Sequence, residues 1–166
     1  MKVCFAGNPD SKRAGFIENV ARAGIEIDVY GNHWSRFVNN PLVVVHQPVY
    51  GAAFWKILSR YRVQLNLMRT HNEGSHNMRS FEVPAIGGIM LAPDTQDHRL
   101  YFKDREEVFL FSTLDNCVEL AHFILSLSKA EAEGIRQNAR AKSLFAGYSY
   151  KARADTAFQA LKFLLS

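Results

Sequence analysis

The richest chemistry in the chain lies in Asn77-Met78-Arg79-Ser80-Phe81-Glu82-Val83-Pro84-Ala85-Ile86-Gly87-Gly88, a stretch set between two apolar runs. A carboxylate one turn into a helix at a strand end, here Glu82, can accept both hydroxyls of a ribose. The helix's free N–H groups, with Arg79 beside them, face a pyrophosphate. The plainer reading is that Glu82 only offsets the helix dipole. A second candidate is Gly7-Asn8-Pro9-Asp10-Ser11-Lys12-Arg13, a turn leading into a helix whose unpaired N–H groups attract anions. It is neither Gly-x-Gly-x-x-Gly nor a Walker A loop. Lys12 and Arg13 either add charge to a phosphate site there or are solvated surface cations.

Tyr30-Gly31 and Tyr50-Gly51 place a ring at or just after the second and third apolar runs, where strand ends approach any ligand. Either ring can stack on a nucleobase, and either can simply close the edge of the core. The histidines at 33, 46, 71, 76, 98 and 122 show no His-Glu-x-x-His spacing and no cysteine partners, so no metal site is expected. His71 and His76 are better suited to hydrogen bonding in their polar loop. Ser35, Ser80 and Ser112 lack a nucleophile-elbow context, which leaves hydrolase chemistry without a foothold.

Positioning these residues requires alternating strands and helices. Apolar runs at 3–6, 25–30, 42–45, 63–67, 89–92 and 108–111 read as strands. Helical patterns follow from Asp10 or Ser11 to Gly24, around Phe54, Ile57 and Leu58, and over about 77–85. From Leu114 onward the pattern is helical to the end, with breaks near Ser128 and Gly147. The segment 68–76 is polar and irregular. Such alternation specifies an α/β fold: a doubly wound parallel sheet with a helical C-terminal tail, binding ligands at the strand carboxyl ends where the winding reverses.

The 166 residues, 48% hydrophobic and 12% aromatic, are enough for one domain with a real core. The net charge of +4 is mild and its cations are scattered among acids and aromatics, unlike the basic stripe of a nucleic-acid binder. Two cysteines without a Cys-x-x-Cys pair suit a reducing compartment. The first apolar run is far too short for a signal-peptide core, and no stretch approaches a membrane span. A cytoplasmic location is expected.

Taken in order, these residues resemble the C-terminal, donor-binding half of a GT-B glycosyltransferase, most closely the CgeB-like group within the glycosyl transferases group 1 family. The resemblance runs over nearly the whole chain. It comprises Arg13 in the first helix, Val29-Tyr30-Gly31 with Trp34 after it, and Tyr50-Gly51 ahead of Lys56-Ile57-Leu58. It continues with Leu65-Asn66-Leu67, then Asn77 to Glu82 with Ala85 and Gly87, and Tyr148-Ser149-Tyr150 followed by Arg153.

The resemblance implies that residues 1–166 form a single Rossmann-like lobe binding a nucleotide-diphosphate sugar, without cofactor or metal. It implies that Glu82 holds the ribose, that Arg13 with Lys12 faces the diphosphate, and that the Asn72-Glu73-Gly74 loop lies against the donor sugar. Tyr30, Tyr50, Asn66, Asn77, Arg79 and Ser80 complete the candidate set. Glu73 and Glu82 have eight residues between them, one more than the paired glutamates of many retaining GT-B enzymes. Such enzymes close two lobes over the reaction. An N-terminal lobe or partner subunit and an unidentified acceptor are therefore implied, with the single lobe inactive alone. The alternative is a non-catalytic nucleotide-binding or interaction module. A response-regulator domain would need acids ending strands one and three, and only Asp10 stands near either place.

Overall fold

Six short apolar runs form one parallel sheet in the computed structural model, which describes residues 2–165. The first half consists of β1 (Val3–Ala6), α1 (Ser11–Arg22), β2 (Ile27–Tyr30), β3 (Val43–His46), α2 (Gly51–Leu58) and β4 (Val63–Leu65). The second consists of α3 (Met78–Ala85), β5 (Met90–Pro93), α4 (Gln96–Tyr101), β6 (Phe109–Phe111), α5 (Leu114–Ser126), α6 (Lys129–Phe145) and α7 (Tyr150–Leu164). The strand order is β3-β2-β1-β4-β5-β6. Val3 pairs with Ile27 on one side and Val63 on the other, so β1 is central.

Continuous apolar strands are what a sheet covered on both faces demands. Val3 and Phe5 pack with Ile17 and Val20 of α1 and Ile124 of α5. Cys4 points the opposite way, into a second cluster with Phe54, Leu58 and Val83. Both cysteines are free and buried, and burial pushes the Cys117 thiol up to about 12, so neither is poised as a nucleophile. The edge strand β3 is less well covered, leaving Val44 and Val45 exposed.

The helix boundaries follow from capping. Asp10 accepts a hydrogen bond from Arg13 N at 2.9 Å to open α1, and Gly24, at φ +88°, turns the chain out of it. A reciprocal box of Ser128 with Glu131 restarts the chain as α6 after α5. Gly147, at φ +68°, separates α6 from α7. None of the α7 side chains is buried, although it carries Phe158, Leu161 and Leu164.

The helix α4 is an addition to the pattern read from sequence. Its six residues are too few to display an apolar stripe, and its start rests on Thr95, which accepts from His98 N. The strand expected at 25–30 begins at Ile27; Ile25 is buried but precedes the ladder. Between β2 and β3 the connection contains only a 3-10 turn at Trp34–Arg36.

Candidate functional site

Because β1 leads outward to β2 while β4 starts the other half of the sheet, the loops after β1 and β4 diverge and open a crevice. The wall after β1 is anchored from below. Gly7 N donates to Tyr30 O at 2.9 Å, and Trp34 Nε1 donates to Gly7 O at 2.8 Å. Gly31 permits this approach, since a Cβ there would stand 2.4 Å from Gly7 O.

Arg13 joins the two walls. Its Nη2 donates to Leu67 O at 2.7 Å and its Nη1 to Asn8 O at 3.2 Å. With 8% of its surface exposed, it is the buried clamp of the crevice rather than a solvated cation. Lys12 forms an ion pair with Glu73, linking the start of α1 to the loop after β4. Both partners are well exposed, so the pair contributes at most about 1 kcal/mol. Asn72 Nδ2 donates to His76 O at 2.6 Å and closes that loop, while space around Gly74 is open.

Asn66, Asn77 and Ser80 come together where α3 meets β4. Asn77 accepts from Ser80 N and donates from Nδ2 to Asn66 Oδ1 at 2.8 Å. Asn66 Nδ2 donates to Ser80 Oγ at 3.2 Å. Ser80 Oγ lies 2.8 Å from His98 Nε2, and His98 Nδ1 lies 2.7 Å from Pro93 O. Pro93 O only accepts, so Nδ1 carries the proton and Ser80 donates to Nε2. This buried network seats the N-terminus of α3 over the crevice. Residues of the candidate set therefore hold one another here.

Arg79 pairs with Glu82, and its guanidinium lies 4.1 Å above the Phe54 ring. Arg13, Asn66, Asn77 and Arg79 line a cleft of about 30 Å³, room for a water. Lys12, Arg13, Met68, Glu73 and Phe111 border a groove of about 320 Å³ on the other side. Tyr30 is engaged elsewhere: its ring stacks on His46 at 4.5 Å and its hydroxyl lies 2.6 Å from that of Tyr61. Tyr61 in turn donates to Asp28, and burial together with that bond raises its phenol well above the ordinary range. Tyr50 stands exposed at the start of α2, and among the described residues no hydrogen bond or ring contact joins either tyrosine to α3. Among the described residues no group of three or more His, Cys, Asp or Glu is placed to hold a metal ion.

His98 escaped sequence reasoning because the only available signal, Thr95 followed by Asp97 in a first turn, precedes a helix too short for periodicity. Burial lowers its pKa below the ordinary 6.5. The unfolded chain then takes up a proton near 6.5 that the native state refuses. Stability is full above that pH and falls as the pH drops below it, by up to about 1.4 kcal/mol per pH unit. Urea unfolding between pH 7.5 and 5 should show this loss, and His98→Gln should flatten the slope; an unchanged slope in the variant would refute the assignment.

A parallel sheet in this order, with its crevice beside the central strand and a helical C-terminal segment, defines a Rossmann-like lobe of the GT-B type. The chain belongs to the glycosyl transferase-like family, whose sequence profile matches residues 12–159. No curated protein matches it. Its fold is similar to a glycosyltransferase from Rickettsia africae ESF-5 at a TM-score of 0.79 and 10% identity, covering 99% of this chain and 48% of that one. It is also similar to sucrose-phosphate synthase from Thermosynechococcus elongatus, at 0.76 and 15%, covering 99% and 45%. The pneumococcal O-GlcNAc transferase solved with UDP and GlcNAc matches at 0.67 and 16%, covering 99% and 36%. The chain thus spans about half, or less, of the length of these structures. Among the described residues no helix is long and apolar enough to cross a membrane.

Proposed function

We propose that this chain is the nucleotide-sugar-binding lobe of a glycosyltransferase of the CgeB-like group, working with an N-terminal lobe or partner subunit that presents an acceptor. The observation that carries the reading is Glu82, one turn into α3 and paired with Arg79, which lines the crevice; a carboxylate so placed can take two ribose hydroxyls. Lys12, Arg79 and the free N–H groups of α3 supply positive potential for a diphosphate, with Arg13 fixing the distance between the walls. In this reading Glu73 exchanges Lys12 for the donor sugar. A uridine or guanosine diphosphate sugar is the expected donor, and a cytoplasmic location is in keeping with such a substrate. The engagement of Arg13 with backbone carbonyls favours one alternative, a nucleotide-binding module without transfer chemistry.

Calorimetric titration of nucleoside diphosphates tests the proposal. Weak binding is expected of residues 1–166 titrated by themselves, because the contact area that closure by a second lobe would add is then missing while the nucleotide site remains. Glu82→Gln should weaken it by about 1.5 to 3 kcal/mol, the worth of hydrogen bonds to a charged group, with little change in folding. A variant that binds as well as the parent but melts earlier would reduce Glu82 to a dipole-compensating residue.

A further inference from the structure

A second groove, of about 560 Å³, lies between α3 and the first turn of α7, whereas Arg79 of α3 turns toward Phe54 of α2 and the crevice. Its volume falls in the range of small-ligand sites. One wall is a rigid aromatic cluster: Phe81, Tyr101 and Tyr148 meet edge to face at 5.1 to 5.6 Å. The Tyr148 hydroxyl donates to Tyr101 O at 2.8 Å, which fixes that ring in place.

The polar part of the groove is equally well held. His76 Nδ1 lies 2.6 Å from Asp97 Oδ2, and Ser75 Oγ donates to the same oxygen at 2.7 Å. Thr95 Oγ1 donates to Ser75 O at 3.1 Å and ties this loop to α4. A carboxylate partner places the proton on Nδ1, so Nε2 is the nitrogen left for a ligand; it has no hydrogen-bond partner among the described residues. On the opposite side the Arg153 guanidinium lies 5.8 Å from the centre of the Tyr148 ring. Glu82 lines this groove, and Asn77 lines both it and the crevice.

We infer that this groove is a binding site for a neutral carbohydrate of roughly one or two sugar units. The rings meet edge to face, so no two of them stand parallel to sandwich a nucleobase, whereas a pyranose needs only one aromatic surface for its C–H face. Its polar lining offers acceptors, the Glu82 carboxylate and His76 Nε2, a donor, the Arg153 guanidinium, and groups of both kinds in Asn77, Ser149 and Tyr150. Sugar hydroxyls, each both donor and acceptor, match that mixture, and the single cation and single carboxylate select no strong charge. The site stands whether or not the crevice binds nucleotide.

The test is a pair of NMR titrations of the full chain, with maltose and with diacetylchitobiose, beside a separate titration with UDP. Saturable shifts at His76, Tyr101 and Tyr148 are expected with one of the sugars, at millimolar affinity. His76→Ala and Arg153→Ala should each weaken that binding about fivefold or more, leaving the UDP titration as in the parent. Absence of a saturable shift with both sugars, shifts mapping elsewhere, or binding unchanged in both variants would overturn the inference. UDP shifting the same residues would give the groove to the nucleotide and overturn it too. A chain that binds sugar but not UDP would leave this site standing and remove the donor-lobe reading.

Discussion

Trp34→Ala is expected to destabilise the protein by about 3 to 5 kcal/mol, the usual cost of emptying a buried tryptophan site. Trp34 is completely buried, packs edge to face on Phe5 at 5.6 Å, and donates to Gly7 O. Its loss therefore opens a cavity beside the central strand and frees the turn that forms one wall of the crevice. Trp34→Phe separates these contributions. It keeps most of the ring volume and leaves Gly7 O without its donor, at about 1 to 3 kcal/mol. Urea unfolding at unchanged m-value reads both. A loss below about 1.5 kcal/mol for alanine would mean the site collapses without strain, contrary to its packing.

Arg13→Met should cost about 2 to 4 kcal/mol in stability, because two carbonyls lose a charged donor at once. Methionine keeps much of the apolar stem and none of the hydrogen bonds. Arg13→Lys, with a point charge in place of the fork, should recover only part of the loss. If Arg13 served a ligand alone, its removal would leave stability within about 0.5 kcal/mol and abolish nucleotide binding. Measuring unfolding and nucleotide affinity on the same variants separates the clamp from the ligand contact.

Much of the fold was legible because strands buried on both faces leave unbroken apolar runs, as at Val3–Ala6 and Phe109–Phe111. Capping residues such as Asp10, Asn77 and Ser128 stand where the helices begin. Of the candidate site, the pairing of Arg79 with Glu82 and the closeness of Asn66, Asn77 and Ser80 are properties of three-dimensional placement. Sequence spacing singled out these residues but could not show that several would bond to each other. The inward commitment of Arg13 was hidden because its acceptor, Leu67 O, lies far along the chain and belongs to the backbone, which carries no side-chain signature. His98 and Asp97 stayed hidden with the short helix that carries them.

The central place of β1 also has a bearing on how the chain is made. On the ribosome β1, β2 and β3 emerge before β4 and can associate as a three-stranded unit, while β4, which covers the other side of β1, begins only at Val63. Until then β1 presents a bare edge of unpaired N–H and C=O groups flanked by Val3 and Phe5, the arrangement most prone to pairing with a neighbouring nascent chain. The same strand order that later opens a crevice at the carboxyl end of β1 thus leaves that strand's second edge open in the growing chain, and synthesis through β4 is the step that closes it.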